Sequence, residues 1–155
     1  MEKTLVIFKP SAIDRRLVGK IISRIEDKGF AIVGMKMMQL DEKILHEHYA
    51  HLINKPFFPS LVESMTSTPV IIACLAGVEA VKVFREMTGV TNGRNAAPGT
   101  IRGDFCMSSQ ANIIHASDSV ENAKIELARF FKSEEIFDYL PSNIKYFYDE
   151  KELTD

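Results

Sequence analysis

The chain has 155 residues, 46% of them hydrophobic and 26% charged, a composition typical of one globular domain. The net charge of −2 argues against a broad basic surface, so we expect neither a specific nucleic acid nor a membrane among its partners. No apolar run approaches the ~20 residues that span a bilayer, and the N-terminus lacks the pattern of a signal peptide. Two widely separated cysteines, Cys74 and Cys106, fit a reducing compartment. We therefore expect a cytoplasmic protein with a single domain over residues 1–155.

The first half of the chain predicts two strands, one long helix and a helical hairpin. Apolar residues repeat at helical spacing from Val18 to Ile25, and Gly29 is a typical stop signal. The two hairpin helices are separated by the break Asn54-Lys55-Pro56. The predicted elements are a strand over 4–8, the helix before Gly29, a strand over 31–40 and the hairpin, which starts near Asp41 and is ended by Thr68-Pro69.

The second half predicts a buried strand over 70–75, a helix over about 78–88 and a long irregular segment over 89–103 that holds four of the eight glycines. A short strand ends near His115, and Asp118 with Glu121 reads as the N-cap and capping box of a helix that continues to about Phe131. Residues 134–155 form a mixed tail, which we expect to pack on the domain or on a neighbouring subunit.

The element order predicts an α/β fold of the ferredoxin-like type. Without the hairpin and the glycine-rich loop, the order is β-α-β-β-α-β. We therefore expect a four-stranded antiparallel sheet covered by helices, with the helical hairpin and the long loop inserted. Many unrelated functions use this topology, so it does not predict an activity.

His115 lies where a strand stops and a helix starts, and two interpretations fit it at this point. In α/β proteins the ends of strands often carry the chemistry, so His115 is a candidate nucleophile. It is equally a candidate core histidine. Lys9 directly follows the first strand and could reach the same ligand if the strand that carries His115 were its parallel neighbour. The alternative for Lys9 is an ordinary solvated residue at a strand end.

The segment from Met87 to Gly103 has no acidic residue and carries two arginines, Arg94 and Arg102, with Arg85 in the helix before it. Exposed amides and arginines suit an oligophosphate, although a mobile loop with solvated arginines has the same composition. Neither a Walker loop nor a dinucleotide fingerprint occurs in the sequence.

Two further features have both a functional and an ordinary interpretation. His46, His48 and His51 are a weak candidate for a metal site, against a polar or partly buried helix surface. Phe57 is free to stack on a ligand because Phe58 belongs to the apolar stripe, although Phe57 also fits a hydrophobic staple.

Together these segments resemble the nucleoside diphosphate kinases over about residues 3–139. The resemblance rests on motifs that occur in the family's order. They are Thr4 to Pro10, Lys28-Gly29-Phe30, His48-Tyr49, Lys55-Pro56-Phe57-Phe58, Pro98 to Phe105 and Asn112 to Ser119.

The resemblance implies transfer of the terminal phosphoryl group of a nucleoside triphosphate, typically ATP, to a nucleoside diphosphate through a phosphohistidine, with broad base tolerance. It assigns His115 as the nucleophile, which attacks through Nδ1, and Glu126 as its carboxylate partner. Ser117 supports that pair, and Tyr49 lies close to the transferred group. The implied nucleotide ligands are Lys9 and Asn112 for sugar and phosphate, Arg85, Thr91 and Arg102 for phosphate, and Phe57 for the base.

The resemblance also implies Mg²⁺ bound mainly through the nucleotide phosphates, with Asp118 at most an indirect partner and no protein metal site. It implies a homo-oligomer, either a hexamer or a tetramer. Three residues depart from the family pattern: Ser11 replaces an aspartate or asparagine, Gly93 a frequent proline and Ala116 a common glycine. We expect Gly93 to weaken the loop and its subunit contacts, and Ala116 to be harmless unless its φ is positive.

Two other functions compete with this one. A catalytically silent module of the same fold could bind nucleotides or proteins, although His115, Glu126 and Arg102 are all present. A divalent-metal protein that uses His46, His48 and His51 is the other alternative.

Overall fold

The computed structural model describes residues 1–153, and a four-stranded antiparallel sheet with the order β2-β3-β1-β4 lies at its centre. Leu5 of the first strand pairs with Cys74 of the third, and Ile7 pairs with His115 of the fourth. The strands are β1 (Glu2–Phe8), β2 (Ala31–Met38), β3 (Val70–Gly77) and β4 (Ile114–Ala116). This order and the connections confirm the predicted ferredoxin-like arrangement.

Helices cover both faces of the sheet. They are α1 (Pro10–Asp14), α2 (Val18–Lys28), α3 (Glu42–His48), α4 (Phe58–Thr66), α5 (Ala80–Thr88), α6 (Ile101–Phe105) and α7 (Val120–Phe130). Short 3₁₀ turns lie at Ala50–Leu52, Ser133–Glu135, Ile144–Tyr146 and Glu150–Leu153. No helix among residues 1–153 is long and apolar enough to cross a membrane.

The sheet has one hydrophobic core on each face, because successive side chains of a strand point to opposite sides. Leu5 and Ile7 contribute to the core that also holds residues of α3, α4 and α7, such as Leu127. Val6 and Phe8 contribute to the opposite core with residues of α2 and α5. Burial on both faces explains why β1 and β3 are continuous apolar runs rather than alternating ones.

The C-terminal segment packs along β2, which is an edge strand of the sheet. The Phe137 amide donates to the Val33 carbonyl at 2.8 Å, and Lys36 forms a 2.6 Å ion pair with Glu135. Farther on, the Phe147 ring lies against Gly29, where an added Cβ would lie 2.6 Å from the ring. Gly29 also has φ +98°, so glycine is required there for two reasons.

The structure corrects two local predictions. β4 runs antiparallel to β1, not parallel as expected. Lys9, which follows β1, therefore lies beside the residues just before β4, and its amide donates to the Ile113 carbonyl at 2.9 Å. The N-cap of α7 is Ser119, whose hydroxyl accepts from the Asn122 amide, rather than Asp118. Serine caps a helix as well as aspartate does. The residue types alone therefore could not show which of the neighbours Asp118 and Ser119 is the N-cap.

Candidate active site

His115 lies at the centre of β4, where it contacts a carboxylate from α7. Its Nε2 atom is 3.0 Å from Glu126 Oε1. The other carboxylate oxygen accepts a 2.5 Å hydrogen bond from the Ser117 hydroxyl, which in turn accepts from the Leu5 amide at 3.2 Å. Both oxygens of Glu126 are therefore held, and the carboxylate fixes the orientation of the His115 ring.

Glu126 stays ionised at neutral pH although it is largely enclosed. Burial acts to raise the pKa of this carboxyl, but the hydrogen bonds from His115 and Ser117 and the nearby imidazoles outweigh burial. The net result is a pKa below the ordinary value for glutamate. The carboxylate can thus stabilise a positive charge that develops on His115.

His48 is a further residue of the site. Its ring packs edge-to-face on His115 with 4.6 Å between ring centroids, and its Nδ1 is 3.9 Å from Glu126 Oε1. Arg129 Nη1 lies 3.2 Å from the same Nδ1. Burial, with the charge of His115 next, lowers the pKa of His48 to about 3, so its imidazole is neutral at physiological pH.

Sequence reasoning placed His48 only in the motif His48-Tyr49 and in a weak metal cluster. The sequence did contain a sign that His48 belongs to the site. His48 shares the apolar side of α3 with Leu45, and a buried polar residue next to a candidate site residue often has a functional role. His46 does not join it, because its Nδ1 lies 2.7 Å from the Glu42 carbonyl on the exposed side of the helix. In residues 1–153, the group of three with metal-ligand spacing is His48, His115 and Glu126, not the three helix histidines.

A strained turn leads into β4. Ile113 has φ +56°, which is rare for a β-branched residue, and the Ile114 amide donates to the Asn112 carbonyl at 2.7 Å. Together these features form a γ-turn. The turn brings the Asn112 side chain to Lys9, whose Nζ donates to Asn112 Oδ1 at 2.7 Å.

Arg102 holds this turn in place. Its guanidinium donates to three backbone carbonyls, those of Asn112 at 3.4 Å, Gly89 at 2.9 Å and Ile114 at 2.7 Å. Since a guanidinium has five N–H groups, two remain for a ligand. Burial is the main cause that lowers the pKa of Arg102 to about 10, so the side chain remains charged at neutral pH.

Two other cations lie nearby. Burial, followed by repulsion from Arg102, lowers the pKa of Lys9 to about 8. Arg85 reaches the site from α5 and donates to the Ala116 carbonyl at 3.3 Å. Three positive side chains from different elements therefore surround the approach to His115, which suits a polyanionic ligand.

These groups line a cavity of about 780 Å³ that has room for a nucleotide. It contains every residue that the resemblance assigns except Ser117, which is fully buried behind Glu126. The assigned residues in its wall are Lys9, Tyr49, Phe57, Arg85, Thr91, Arg102, Asn112, His115 and Glu126. Phe57 is 46% exposed, which leaves much of its ring free to stack.

Tyr49 presents an unusual hydroxyl. The atom is buried and has no hydrogen-bond partner within residues 1–153. Burial, with the charge of Glu126 next, raises the pKa of the phenol, so it stays protonated. An O–H in this state is available to donate to a ligand in the cavity.

Ala116 and Gly93, two of the departures from the family pattern, have different structural outcomes. Ala116 lies in β4 and is not among the non-glycine residues with positive φ, so glycine is not required there. Gly93 packs against Cys106, and an added Cβ would lie 2.4 Å from the backbone of Cys106. Its amide also donates to the Ser108 carbonyl at 3.3 Å, a bond that proline could not form.

Sequence comparison finds close relatives that match nearly the whole chain. The family model of nucleoside diphosphate kinase matches residues 2–136. A nucleoside diphosphate kinase of Parabacteroides distasonis is 57% identical over 153 residues, which cover 99% of this chain and 100% of the relative. One from Pyrococcus horikoshii is 50% identical over 150 residues and covers 95% of each chain.

Solved structures agree in fold. The halophilic nucleoside diphosphate kinase of Halobacterium salinarum, determined in complex with CDP, has a TM-score of 0.92 and 40% identity, and covers 96% of this chain and 99% of that one. The enzyme of Encephalitozoon cuniculi has a TM-score of 0.91 and 38% identity, with 96% of this chain and 100% of that one covered. The chain therefore belongs to the nucleoside diphosphate kinase family, and it is an enzyme that transfers a phosphoryl group between nucleotides.

Proposed function

We propose that this kinase works by ping-pong transfer through a phosphohistidine on His115. The observation that carries the proposal is the 3.0 Å contact between His115 Nε2 and Glu126 in the wall of a cationic cavity. When Nε2–H donates to the carboxylate, the lone pair of the neutral ring lies on Nδ1. This supports Nδ1 as the attacking atom.

In the first half-reaction, Nδ1 attacks the terminal phosphorus of a nucleoside triphosphate. An N–P bond forms, the bond to the bridging oxygen breaks, and the nucleoside diphosphate leaves with the electron pair. The ring becomes cationic, and the Glu126 carboxylate stabilises it through Nε2–H. In the second half-reaction, a terminal oxygen of another nucleoside diphosphate attacks the same phosphorus and releases neutral His115.

The cations and donors around His115 have separate roles in this proposal. Arg85, Arg102 and Thr91 bind the phosphates, and Lys9 with Asn112 binds the sugar and phosphate. The Tyr49 hydroxyl, buried and free of a partner in the described residues, donates to the transferred group. Phosphoryl transfer depends mostly on such positioning and charge neutralisation.

Phe57 provides the surface for the base. A ring that is 46% exposed in the cavity wall can stack on any nucleobase, because every base has a π-face. Stacking without a set of base-specific hydrogen bonds supports broad tolerance of purine and pyrimidine nucleotides.

The site fits a magnesium ion that is carried mainly by the nucleotide. Mg²⁺ prefers oxygen ligands, and both oxygens of Glu126 are engaged by His115 and Ser117. Asp118 lines the cavity with a carboxylate that accepts from Asn122 at 2.6 Å, and the resemblance gives it at most an indirect contact with the ion. When bound, the ion neutralises charge on the phosphates.

We also propose that the chain acts as one domain over residues 1–155, in a cytoplasmic homo-oligomer. Cys74 and Cys106 are buried and unpaired, which supports a reducing compartment. The exposed side chains of Met35 and Met37 on edge strand β2 support a contact between copies. Whether the assembly is a tetramer or a hexamer follows from its mass in solution.

Labelling with γ-³²P-ATP and magnesium tests the phosphohistidine. The wild type is expected to take up an acid-labile, alkali-stable label that is released on addition of a nucleoside diphosphate. His115→Gln is expected to take up none. His46→Gln changes an exposed histidine outside the cavity and should label normally. Normal labelling of His115→Gln would contradict the proposal.

A further inference from the structure

His48, His115 and Glu126 together have the composition and spacing of a transition-metal site. From this geometry we propose that Zn²⁺ binds reversibly between them and blocks phosphorylation of His115. The blocking effect rests on the proposed role of His115, whereas the metal site itself does not. The site is distinct from the magnesium carried by the nucleotide.

The three ligand atoms are already close to the positions that zinc requires. Glu126 Oε1 is 3.0 Å from His115 Nε2 and 3.9 Å from His48 Nδ1, and each of the three residues offers one ligand atom within 4.8 Å of the other two. Zinc bonds of about 2.0–2.2 Å in a tetrahedron put neighbouring ligand atoms about 3.3 Å apart. The three side chains therefore need to shift by less than about 1 Å to enclose the ion.

The chemistry of the donors selects zinc over magnesium. Two imidazoles and one carboxylate are a set that zinc takes with its fourth position open, whereas Mg²⁺ prefers oxygen ligands. Ser117 supports the site by its 2.5 Å hydrogen bond to the second oxygen of Glu126, as outer partners of metal ligands do. All three ligands line the large cavity, so the ion has an entry path.

Arg129 opposes occupation of the site. Its Nη1 is 3.2 Å from His48 Nδ1, the atom that would bind the metal, and it brings a positive charge. The guanidinium must swing away before the ion can bind. Its Nε already lies 3.9 Å from the exposed Glu47, which offers an alternative partner. We therefore expect Arg129 to weaken zinc binding and to make the site reversible.

A bound ion would change the tautomer of His115. Zinc on Nε2 takes the lone pair of that nitrogen, so the neutral ring carries its proton on Nδ1. Nδ1 then has no lone pair with which to attack phosphorus, and the Glu126 oxygen that would stabilise the cationic ring is bound to the metal instead. Zinc and phosphorylation therefore compete for the same histidine.

Titration calorimetry with ZnCl₂ on the full-length protein, freed of metal and without nucleotide, tests the site directly. The wild type is expected to bind one ion, and His48→Gln to weaken this binding by at least about 10-fold. His46→Gln, on the same helix but outside the cavity, should match the wild type. Equal binding by His48→Gln and wild type, or no binding by wild type, would overturn the site.

Arg129→Gln provides a test that does not remove a ligand. Because the variant replaces the charged guanidinium by a shorter, neutral amide, we expect its affinity for zinc to be at least about 10-fold higher than that of the wild type. Weaker or unchanged binding would overturn the role of Arg129 and the placement of zinc at Nδ1. This variant keeps the site testable even if His48→Gln folds poorly, which its circular dichroism would show.

Labelling by γ-³²P-ATP in excess Mg²⁺, with and without zinc, tests the block. Zinc is expected to slow labelling of the wild type, and His48→Gln to resist zinc. Equal rates with one zinc ion bound would overturn the block. A wild type that takes up no label even without zinc would contradict the phosphohistidine, while calorimetry would still decide the metal site.

Discussion

Glu126 is held by donors on both carboxylate oxygens, so the hydrogen-bond direction to His115 is fixed. Replacement of Glu126 by Gln keeps the shape but adds an N–H that can face Nε2. The ring would then carry its proton on Nδ1, the atom that has to attack. We expect kcat to fall by about 10²-fold or more, with a small change in KM for the nucleotide. Steady-state exchange assays measure both constants.

Glu121→Gln is the matched control, since Glu121 is exposed on the same helix and away from His115. Its kcat should equal that of the wild type. A kcat for Glu126→Gln within about threefold of wild type would show that the carboxylate does not orient the nucleophile.

The same carboxylate also makes stability depend on pH. Its folded-state pKa lies below the ordinary value of 4.5, so the unfolded state binds more protons as pH falls below that value. The stability it contributes is thus present above pH 4.5 and is lost as pH falls through the folded pKa. Glu126→Gln lacks this contribution to acid unfolding.

The positive charge of Lys9 serves the proposed function, but its burial lowers the stability of the folded protein. Its pKa is about 8 in the folded protein against 10.5 ordinarily, so between these values the unfolded state binds more protons and stability rises with pH. Lys9→Met removes this partly buried charge. We expect it to raise the free energy of unfolding at pH 7 by about 1 kcal/mol, and to raise KM for the nucleotide. Urea denaturation at pH 7 and pH 9.5 checks the first effect, and the gain should be smaller at the higher pH.

Lys20→Met is the control, because Lys20 is exposed on α2. It should change neither stability nor KM. A less stable Lys9→Met at pH 7 would mean that the lost bond to Asn112 outweighs the relief of burial.

Among the elements, those with a strong apolar repeat were predictable from sequence. α2 and β3 follow from periodicity and continuous burial, and their bounds agree closely with the expectation. The helices α1 and α6 were not predicted, since each has five residues and is too short to show a repeat. They depend on distant contacts, such as the 2.9 Å ion pair of Arg24 with Asp104.

In the candidate site, too, some features could be predicted from local sequence and others could not. Six of the nine assigned residues in the cavity wall lie in the motifs, because each motif is local in sequence, whereas Arg85, Thr91 and Glu126 were assigned by the resemblance from outside the motifs. The direction of β4, the positive φ of Ile113 and the contact of His48 with His115 depend on pairing between distant segments. Such contacts leave no periodic signal in a single sequence.

The start of α7 determines where Glu126 lies, so its cap affects the site. The Ser119 hydroxyl accepts from the Asn122 amide at 3.1 Å, whereas the Asp118 carboxylate accepts from the Asn122 side chain at 2.6 Å. We expect Ser119→Ala to lower the free energy of unfolding by about 1 kcal/mol, and Asp118→Ala to lower it less. Urea denaturation of both variants measures the difference. A larger loss in Asp118→Ala would restore Asp118 as the cap.

At the scale of the whole molecule, edge strand β2 leaves two apolar side chains uncovered. The C-terminal segment contacts β2 near Ile32 and Val33, while Met35 and Met37 are 50% and 58% exposed. An edge strand with exposed apolar side chains is a natural surface for pairing with a second copy.

If β2 forms the contact between copies, charges on it should reduce the assembly. We expect Met35→Lys/Met37→Lys to shift the sedimentation coefficient to smaller species, since like charges would be buried together in the contact. Ile125→Lys is the matched control, because Ile125 is 56% exposed but lines the nucleotide cavity instead of the sheet edge. It should leave the assembly size unchanged. A monomeric wild type would contradict the homo-oligomer, and an unchanged mass for the double variant would move the contact away from β2.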